Sequence, residues 1–131
     1  MSEKDIVQYI IIRKDLNMRK GKMVAQGAHA SMGVIFNYLH EVNDKTLKLI
    51  NIPEDMMEWI NGTFTKICVC VNSEEELISL HEQAIVNDFP CSLIKDKGLT
   101  EFHGIETKTA IAIGPIERTK VKHLVGDLKL L

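Results

Sequence analysis

Ile6-Val7-Gln8-Tyr9-Ile10-Ile11-Ile12-Arg13 is followed, after a short polar stretch, by Arg19-Lys20-Gly21-Lys22-Met23-Val24-Ala25-Gln26-Gly27-Ala28-His29-Ala30. The first run is apolar on both faces apart from Gln8, the pattern of a central strand covered on two sides. In the second, Lys22, Gln26 and His29 are offset by four and then three positions, so they share one face of a helix whose other residues are small or apolar. A buried strand thus feeds a helix whose first turn is basic. The exposed amides of a helix start and its positive dipole end attract anions, and Arg19, Lys20 and Lys22 strengthen that field. Two readings of the stripe stand at this point: the wall of a cleft, or a solvated helix start with its Gln and His facing water.

The other elements follow outward from this pair. Asp15 to Gly21 reads as a loop, and the helix as running from Lys22 to about Glu41. Helical character continues, poorly defined, across Lys45 to Ile60, where Pro53 suits a first helical position and Gly62 an end. Trp59 either packs this segment onto the body or lies at a subunit contact. Thr65 to Asn72 is a second strand, and Ser73 with Glu76 forms a capping box that opens a helix through about Asn87. Cys91 to Lys95 is a third strand, Lys108 to Ile113 a fourth stopped by Gly114-Pro115, and Glu117 to about Leu124 a closing helix. Two helical crossovers make the first three strands parallel, and the direct return makes the fourth antiparallel. The expected fold class is α/β: a three-layer sandwich, with a four-stranded mixed β-sheet and helices on both faces. The loops after strands one and three and the start of strand four then meet at the carboxyl end of the sheet, where ligands bind in open α/β sheets.

A chain of 131 residues is long enough for a real core and short for two typical domains, so residues 1–131 are expected to form one domain. No apolar run is long enough to span a bilayer and no leader-like segment opens the chain, so a cytoplasmic protein without a membrane partner is expected. Cys68, Cys70 and Cys91 are odd in number and lack paired metal-ligand spacing; Cys68 and Cys70, on one face of a strand, read as small buried thiols, and a reducing compartment fits. The five histidines show no helix pair of the kind that grips a metal, so neither metal nor cofactor is expected. The net charge of -2 does not announce a nucleic-acid binder, and no DNA partner is expected. The charge is nevertheless uneven: +3 over residues 1–40, -7 over 41–88 and +2 over 89–131. Much of the central acidity lies at Glu54, Asp55 and Glu74 to Glu76, in the first turns of expected helices, where it complements the dipole.

The second informative stretch is Lys95-Asp96-Lys97-Gly98-Leu99-Thr100-Glu101-Phe102-His103-Gly104-Ile105-Glu106-Thr107-Lys108-Thr109. It joins strands three and four and is longer than the roughly 2 to 5 residues that a hairpin needs. Asp96 lies just past the strand end, Gly98 permits a tight turn beside it, and Thr100 and Thr109 offer hydroxyls at the two ends of the loop. By the topology above, this group faces Lys22. Taken alone, Asp-x-Gly-x-Thr also reads as a turn whose aspartate bonds to its own backbone.

Together the two stretches resemble the type 2 peptidyl-tRNA hydrolase family of archaea and eukaryotes. Its pattern is Gly-Lys-x-x-Ala-Gln-x-x-His-Ala near the N-terminus, then Asp-x-Gly-x-Thr, then a Thr opening a last strand that ends in Gly-Pro. The matching residues are Gly21-Lys22, Ala25-Gln26, His29-Ala30, Asp96, Gly98, Thr100, Thr109 and Gly114-Pro115. Arg13-x-Asp15-Leu16 and the C-terminal Asp127-Leu128-Lys129-Leu130-Leu131 are similar to the family as well. Departures are Lys97 in place of a small residue, a loop before Thr109 one residue longer, an expanded 44–64 segment and a less basic chain. The resemblance implies hydrolysis of the ester joining a peptide, or any N-blocked aminoacyl group, to the 3′ end of tRNA, with peptidyl-tRNA as substrate and a homodimer as assembly. The alternative is a non-catalytic tRNA- or nucleotide-binding module of the same fold, which needs the basic helix start but not Asp96 with Thr100.

For that reaction the catalytic candidates are Lys22, Asp96, Thr100 and Thr109. Lys22 suits a developing oxyanion or a nearby phosphate. Asp96 orients water more readily than it deprotonates it, because a carboxylate with a reference pKa of about 3.9 beside a lysine is a weak base. The two threonines offer hydroxyls to water or ester, and with no activating base beside them no covalent intermediate is expected. Arg19, Lys20, Gln26 and His29 are the substrate-binding candidates. His29 matches a general base by its reference pKa of about 6.5, or it contacts the acceptor strand, or it packs with Gln26.

Overall fold

The computed structural model describes residues 4–98 and 102–131. Its elements are β1 (Ile6–Arg13), α1 (Lys20–Phe36), β2 (Leu39–Asn43), β3 (Thr46–Leu49), α2 (Glu54–Asn61), β4 (Lys66–Val71), α3 (Glu74–Val86), β5 (Cys91–Asp96), β6 (Thr107–Glu117) and α4 (Arg118–Val125), with a 3-10 turn at Lys14–Leu16. The main sheet has the order β4-β1-β6-β5. β1 pairs parallel with β4 and antiparallel with β6, and β6 pairs antiparallel with β5. The mixed four-stranded sheet and its strand directions are those the sequence predicts.

Alternation of side chains along the strands divides the core in two. Val7, Tyr9 and Ile11 of β1, with Ile111 and Ile113 of β6, pack against Leu77 and Leu80 of α3 and Val121 and Val125 of α4. Ile10 and Ile12, with Ala110 and Ala112, face Ala30 and Val34 of α1 and Met56 of α2. Helices therefore cover both faces, as the apolar residues on both sides of β1 require. On the α1 side the strand residues of β6 are alanines, and a Cβ on Gly27 would meet Ile10 at 3.5 Å, so the helix lies close to the sheet. Gln8 is fully buried on this same side. Its amide nitrogen donates to the carbonyls of Gly114 at 3.0 Å and Ser31 at 3.3 Å, and the Ser31 hydroxyl donates to its oxygen. A polar residue in the central strand is thus satisfied at both ends and ties β1, α1 and β6 together.

Several expectations are corrected. α1 starts at Lys20 and stops at Phe36 instead of running from Lys22 to Glu41, and an antiparallel hairpin, β2 and β3, occupies much of the expected helical region before α2. The turn is built by Asn43, whose side chain accepts from the Lys45 amide at 3.3 Å, a local bond that competes with helix. α2 itself is bounded by Pro53 and Gly62 as its caps. β6 does not stop at Gly114-Pro115 but passes through that cis peptide to Glu117. The register against β1 shifts between Val7 and Tyr9, a bulge that absorbs the Gly-Pro step without ending the strand. Gly114, at φ +106, leaves a Cβ only 2.5 Å from the Val7 carbonyl, so no other residue fits that crossing. Of the cysteines only Cys70 is buried; Cys91 is half-buried and Cys68 exposed. α1 packs over β6, β5 and β1 and leaves that face of β4 open, which exposes Cys68. Trp59 is buried against the body, its indole N–H donating to the Thr65 carbonyl at 2.8 Å.

Candidate active site

The site is positioned from the end of β1. Arg13 grips Asp15 with two nitrogens, Nε to Oδ1 at 3.1 Å and Nη2 to Oδ2 at 2.7 Å, and its third nitrogen donates to the Lys108 carbonyl in β6 at 3.1 Å. This planar fork fixes the β1–α1 turn against the start of β6. It also holds the Asp15 carboxyl below its ordinary range. Met18, buried two residues before α1, anchors the remainder of the turn. The first turns of α1 then stand beside the carboxyl end of β5.

Lys22 and Gln26 both reach Asp96, the last residue of β5. The Lys22 ammonium donates to Asp96 Oδ2 at 2.6 Å and the Gln26 amide nitrogen to the same oxygen at 3.1 Å. The other oxygen, Oδ1, accepts the Gly98 backbone N–H at 2.7 Å. The two readings of Asp-x-Gly therefore hold together: one carboxylate oxygen closes the turn and the other faces α1. The opposite end of the Gln26 amide accepts the Thr109 hydroxyl at 2.5 Å, and both of these residues are buried. The direction of each bond is forced, since a carboxylate only accepts, so the Gln26 nitrogen must face Asp96 and its oxygen must face Thr109. Thr109 has spent its one hydrogen on Gln26, so its oxygen offers lone pairs and is held as an acceptor.

The Asp96 carboxyl lies below its ordinary value of 3.8, chiefly because Lys22 donates to it; burial opposes the shift, and the Gly98 amide and Gln26 reinforce it. Asp96 is therefore ionised at neutral pH. The pair opens onto a cleft of about 310 Å³ lined by Lys22, Gln26, His29, Ile94 and Lys95 to Lys97. Phe102 lies across Lys22, its ring centroid 5.7 Å from the ammonium, within cation–π reach. The loop carrying Phe102 is drawn shut by the Gly104 amide donating to the Gly98 carbonyl at 2.8 Å. Gly98 has φ +79, and a Cβ there would meet the Ile105 carbonyl at 2.3 Å, so this turn requires glycine.

The structure thus brings together Lys22, Gln26, Asp96 and Thr109, with His29 exposed on the cleft wall. Thr100 lies outside the described residues. Arg19 is the exposed N-cap of α1, whereas Lys20 lines a groove on the other flank of the helix, away from Asp96. Arg13 and Phe102 escaped the sequence reading as parts of the site. Their signals were an Arg-x-Asp pair at a strand end and the single Phe in the loop between β5 and β6. Among the described residues no three of His, Cys, Asp and Glu gather as a metal-ligand set, and no helix is long and apolar enough to cross a membrane.

Fold and cleft together define an open-sheet α/β protein with a lysine–carboxylate centre at the carboxyl edge of its parallel strands. A family model described as Peptidyl-tRNA hydrolase PTH2 matches residues 6–131. The chain is 41% identical over 122 residues to the peptidyl-tRNA hydrolase of Methanocaldococcus jannaschii, covering 93% of this chain and 96% of that one. It is 39% identical over 124 residues to that of Methanococcus vannielii, covering 95% and 97%, and 36% identical over 126 residues to that of Saccharolobus solfataricus, covering 96% and 99%. The chain belongs to the type 2 peptidyl-tRNA hydrolase family. The relatives support an enzyme, and none favours the non-catalytic module.

Proposed function

We propose that the chain hydrolyses the ester between a peptide, or any N-blocked aminoacyl group, and the 3′ end of tRNA, and that Lys22, Asp96, Gln26 and Thr109 form its reacting centre. The observation that carries this reading is the unbroken series Thr109 to Gln26 to Asp96 to Lys22. Water adds to the ester carbonyl, the carbonyl oxygen takes up negative charge, and collapse of the tetrahedral adduct releases the peptide acid and the tRNA hydroxyl. Lys22, a cation that lines the cleft, is assigned to the oxyanion that develops on the ester carbonyl. Asp96, ionised and a weak base, orients the attacking water. Gln26 acts through Asp96, fixing the carboxylate plane, and Thr109 fixes the amide.

His29 sits seven residues along α1 from Lys22, on the exposed wall, and serves the acceptor strand in this reading. Arg19 contributes to phosphate contacts, and Lys20 joins it only if the tRNA straddles the start of α1. Thr100 belongs to the proposal by its place in the motif alone. A cytoplasmic homodimer of single-domain chains completes the reading. The test is to incubate the protein with N-blocked and with free aminoacyl-tRNA and to follow release of tRNA. Turnover confined to the blocked substrate is expected; binding of the blocked substrate without turnover would return the chain to the binding-module class.

A further inference from the structure

The loop between β5 and β6 carries an apolar residue at each end of one tight turn and treats the two oppositely. Ile105 is left 67% exposed, whereas Phe102 is half-buried and packs onto the core on the α1 side of the sheet. The turn runs from Phe102 to Ile105 and is closed by the Ile105 amide, which donates to the Phe102 carbonyl at 3.0 Å. Its central residues, His103 at φ +53 and Gly104 at φ +78, are both left-handed. Glycine adopts that conformation freely; histidine does so less readily and is held in it by its surroundings.

Hydrogen bonds fix where this turn stands. The Gly104 amide donates to the Gly98 carbonyl at 2.8 Å, the Gly98 amide to Asp96 Oδ1 at 2.7 Å, and the Thr107 hydroxyl to the Ile105 carbonyl at 2.9 Å. The turn is thereby tied to the same carboxylate whose other oxygen accepts from Lys22. Asp96, Gly98, Gly104, Phe102 and Lys22 make a closed circuit: through one oxygen the carboxylate holds the ammonium, and through the other it sets the turn that lays a ring across that ammonium. The ring centroid is 5.7 Å away. Little water reaches the pair, since the Lys22 side chain is 15% exposed and that of Asp96 13%, and a cation–π contact is stronger when desolvated than at an open surface. An ion pair fixes the distance of a flexible lysine from its partner but leaves its direction loose, and a ring face supplies the direction. Lys22 lines the cleft and Phe102 is not among the described residues that line it, so the ring backs the ammonium from outside the substrate's space.

We infer that Phe102 is a positioning residue of the hydrolytic site, whose ring holds the Lys22 ammonium at the cleft wall and so speeds the chemical step without touching the substrate. The inference rests on the hydrolase reading above and deepens it. Single-turnover release of tRNA from N-blocked aminoacyl-tRNA by the full chain at saturating enzyme tests it, with circular dichroism of each variant as the check on folding. Phe102→Leu keeps an apolar side chain and removes the ring; it is expected to slow the chemical step about tenfold, with substrate affinity changed less than about twofold. Phe102→Tyr, which returns a ring, is expected to recover most of that rate. In a Lys22→Ala background Phe102→Leu is expected to cost nothing further, because the ring acts only through the ammonium. Ring-fluorinated phenylalanines at position 102, nearly unchanged in size but with a progressively weaker negative face, are expected to lower the rate stepwise. A wild type that releases no tRNA from the blocked substrate overturns the hydrolase reading and this inference with it. A Phe102→Leu rate equal to the wild type, a loss of the same size in the absence of Lys22, or a rate indifferent to fluorination overturns the role of Phe102 and leaves the hydrolase reading standing.

Discussion

Asp96 divides its two oxygens between a turn and a site, and the consequences of that division are measurable. Because its folded carboxyl titrates below the ordinary value, its charged form contributes stability that is complete above that value and is lost as pH falls through the folded one. In urea titrations from neutral pH downward, the advantage of the wild type over Asp96→Asn is expected to hold constant until about pH 4 and to shrink only below it. A change centred near neutrality would place the carboxyl in a different environment. Gln26 and Thr109 form the second pair at this scale. Removing either leaves the partner buried with an unmet group, a cost of about 1–3 kcal/mol, whereas replacing both removes the unmet group as well. The double variant Gln26→Leu with Thr109→Val is therefore expected to lose clearly less stability than the sum of the singles; strict additivity would mean that the two side chains do not depend on each other.

Elements carry these residues to one place, and Arg13 is the brace between them. It joins the turn after β1 to the start of β6 through Asp15 and the Lys108 carbonyl. Arg13→Met keeps the packing stem but frees the start of α1 to shift against Asp96. Turnover is expected to fall about tenfold or more through kcat, with the unfolding free energy lowered by only about 1–2 kcal/mol; loss confined to KM would assign Arg13 to substrate binding instead. Much of this architecture was legible in the chain. β1 and β6 announce themselves by apolar runs, and α3 by its capping box, whose Ser73 oxygen accepts the Glu76 amide at 3.1 Å. Residues 37–41 and 45–52 read as helical in the sequence, not as a hairpin, because the hairpin buries little and its apolar residues, such as Leu47 at 61% exposure, follow no core. Gly114-Pro115 was misread as a stop because a bulge against a partner strand, invisible in one strand's sequence, lets the chain continue. At the site, Lys22, Gln26 and Asp96 were legible from helical spacing and strand direction. Phe102 was not, since its loop position gives no period from which to infer a direction.

At the scale of the whole molecule, helices pack on both sheet faces, leaving one face of β4 open, and the Lys22–Asp96 centre lies at the carboxyl end of the sheet. The acidic middle of the chain, -7 over residues 41–88, supplies most of the hairpin, α2, β4 and all of α3, whereas the cleft is drawn from the two basic segments. A mildly acidic protein can thus present a basic edge to an anionic substrate. The claim at the centre of this account is that Lys22, held by Asp96, stabilises the charge that develops on the ester carbonyl. The most direct test is single-turnover release of tRNA from N-blocked aminoacyl-tRNA by the wild type and by Lys22→Ala at saturating enzyme. The account predicts a chemical step slower by about 100- to 1,000-fold with tRNA affinity changed only a few-fold. A rate within a few-fold of the wild type, or a loss that vanishes once binding is saturated, would contradict it.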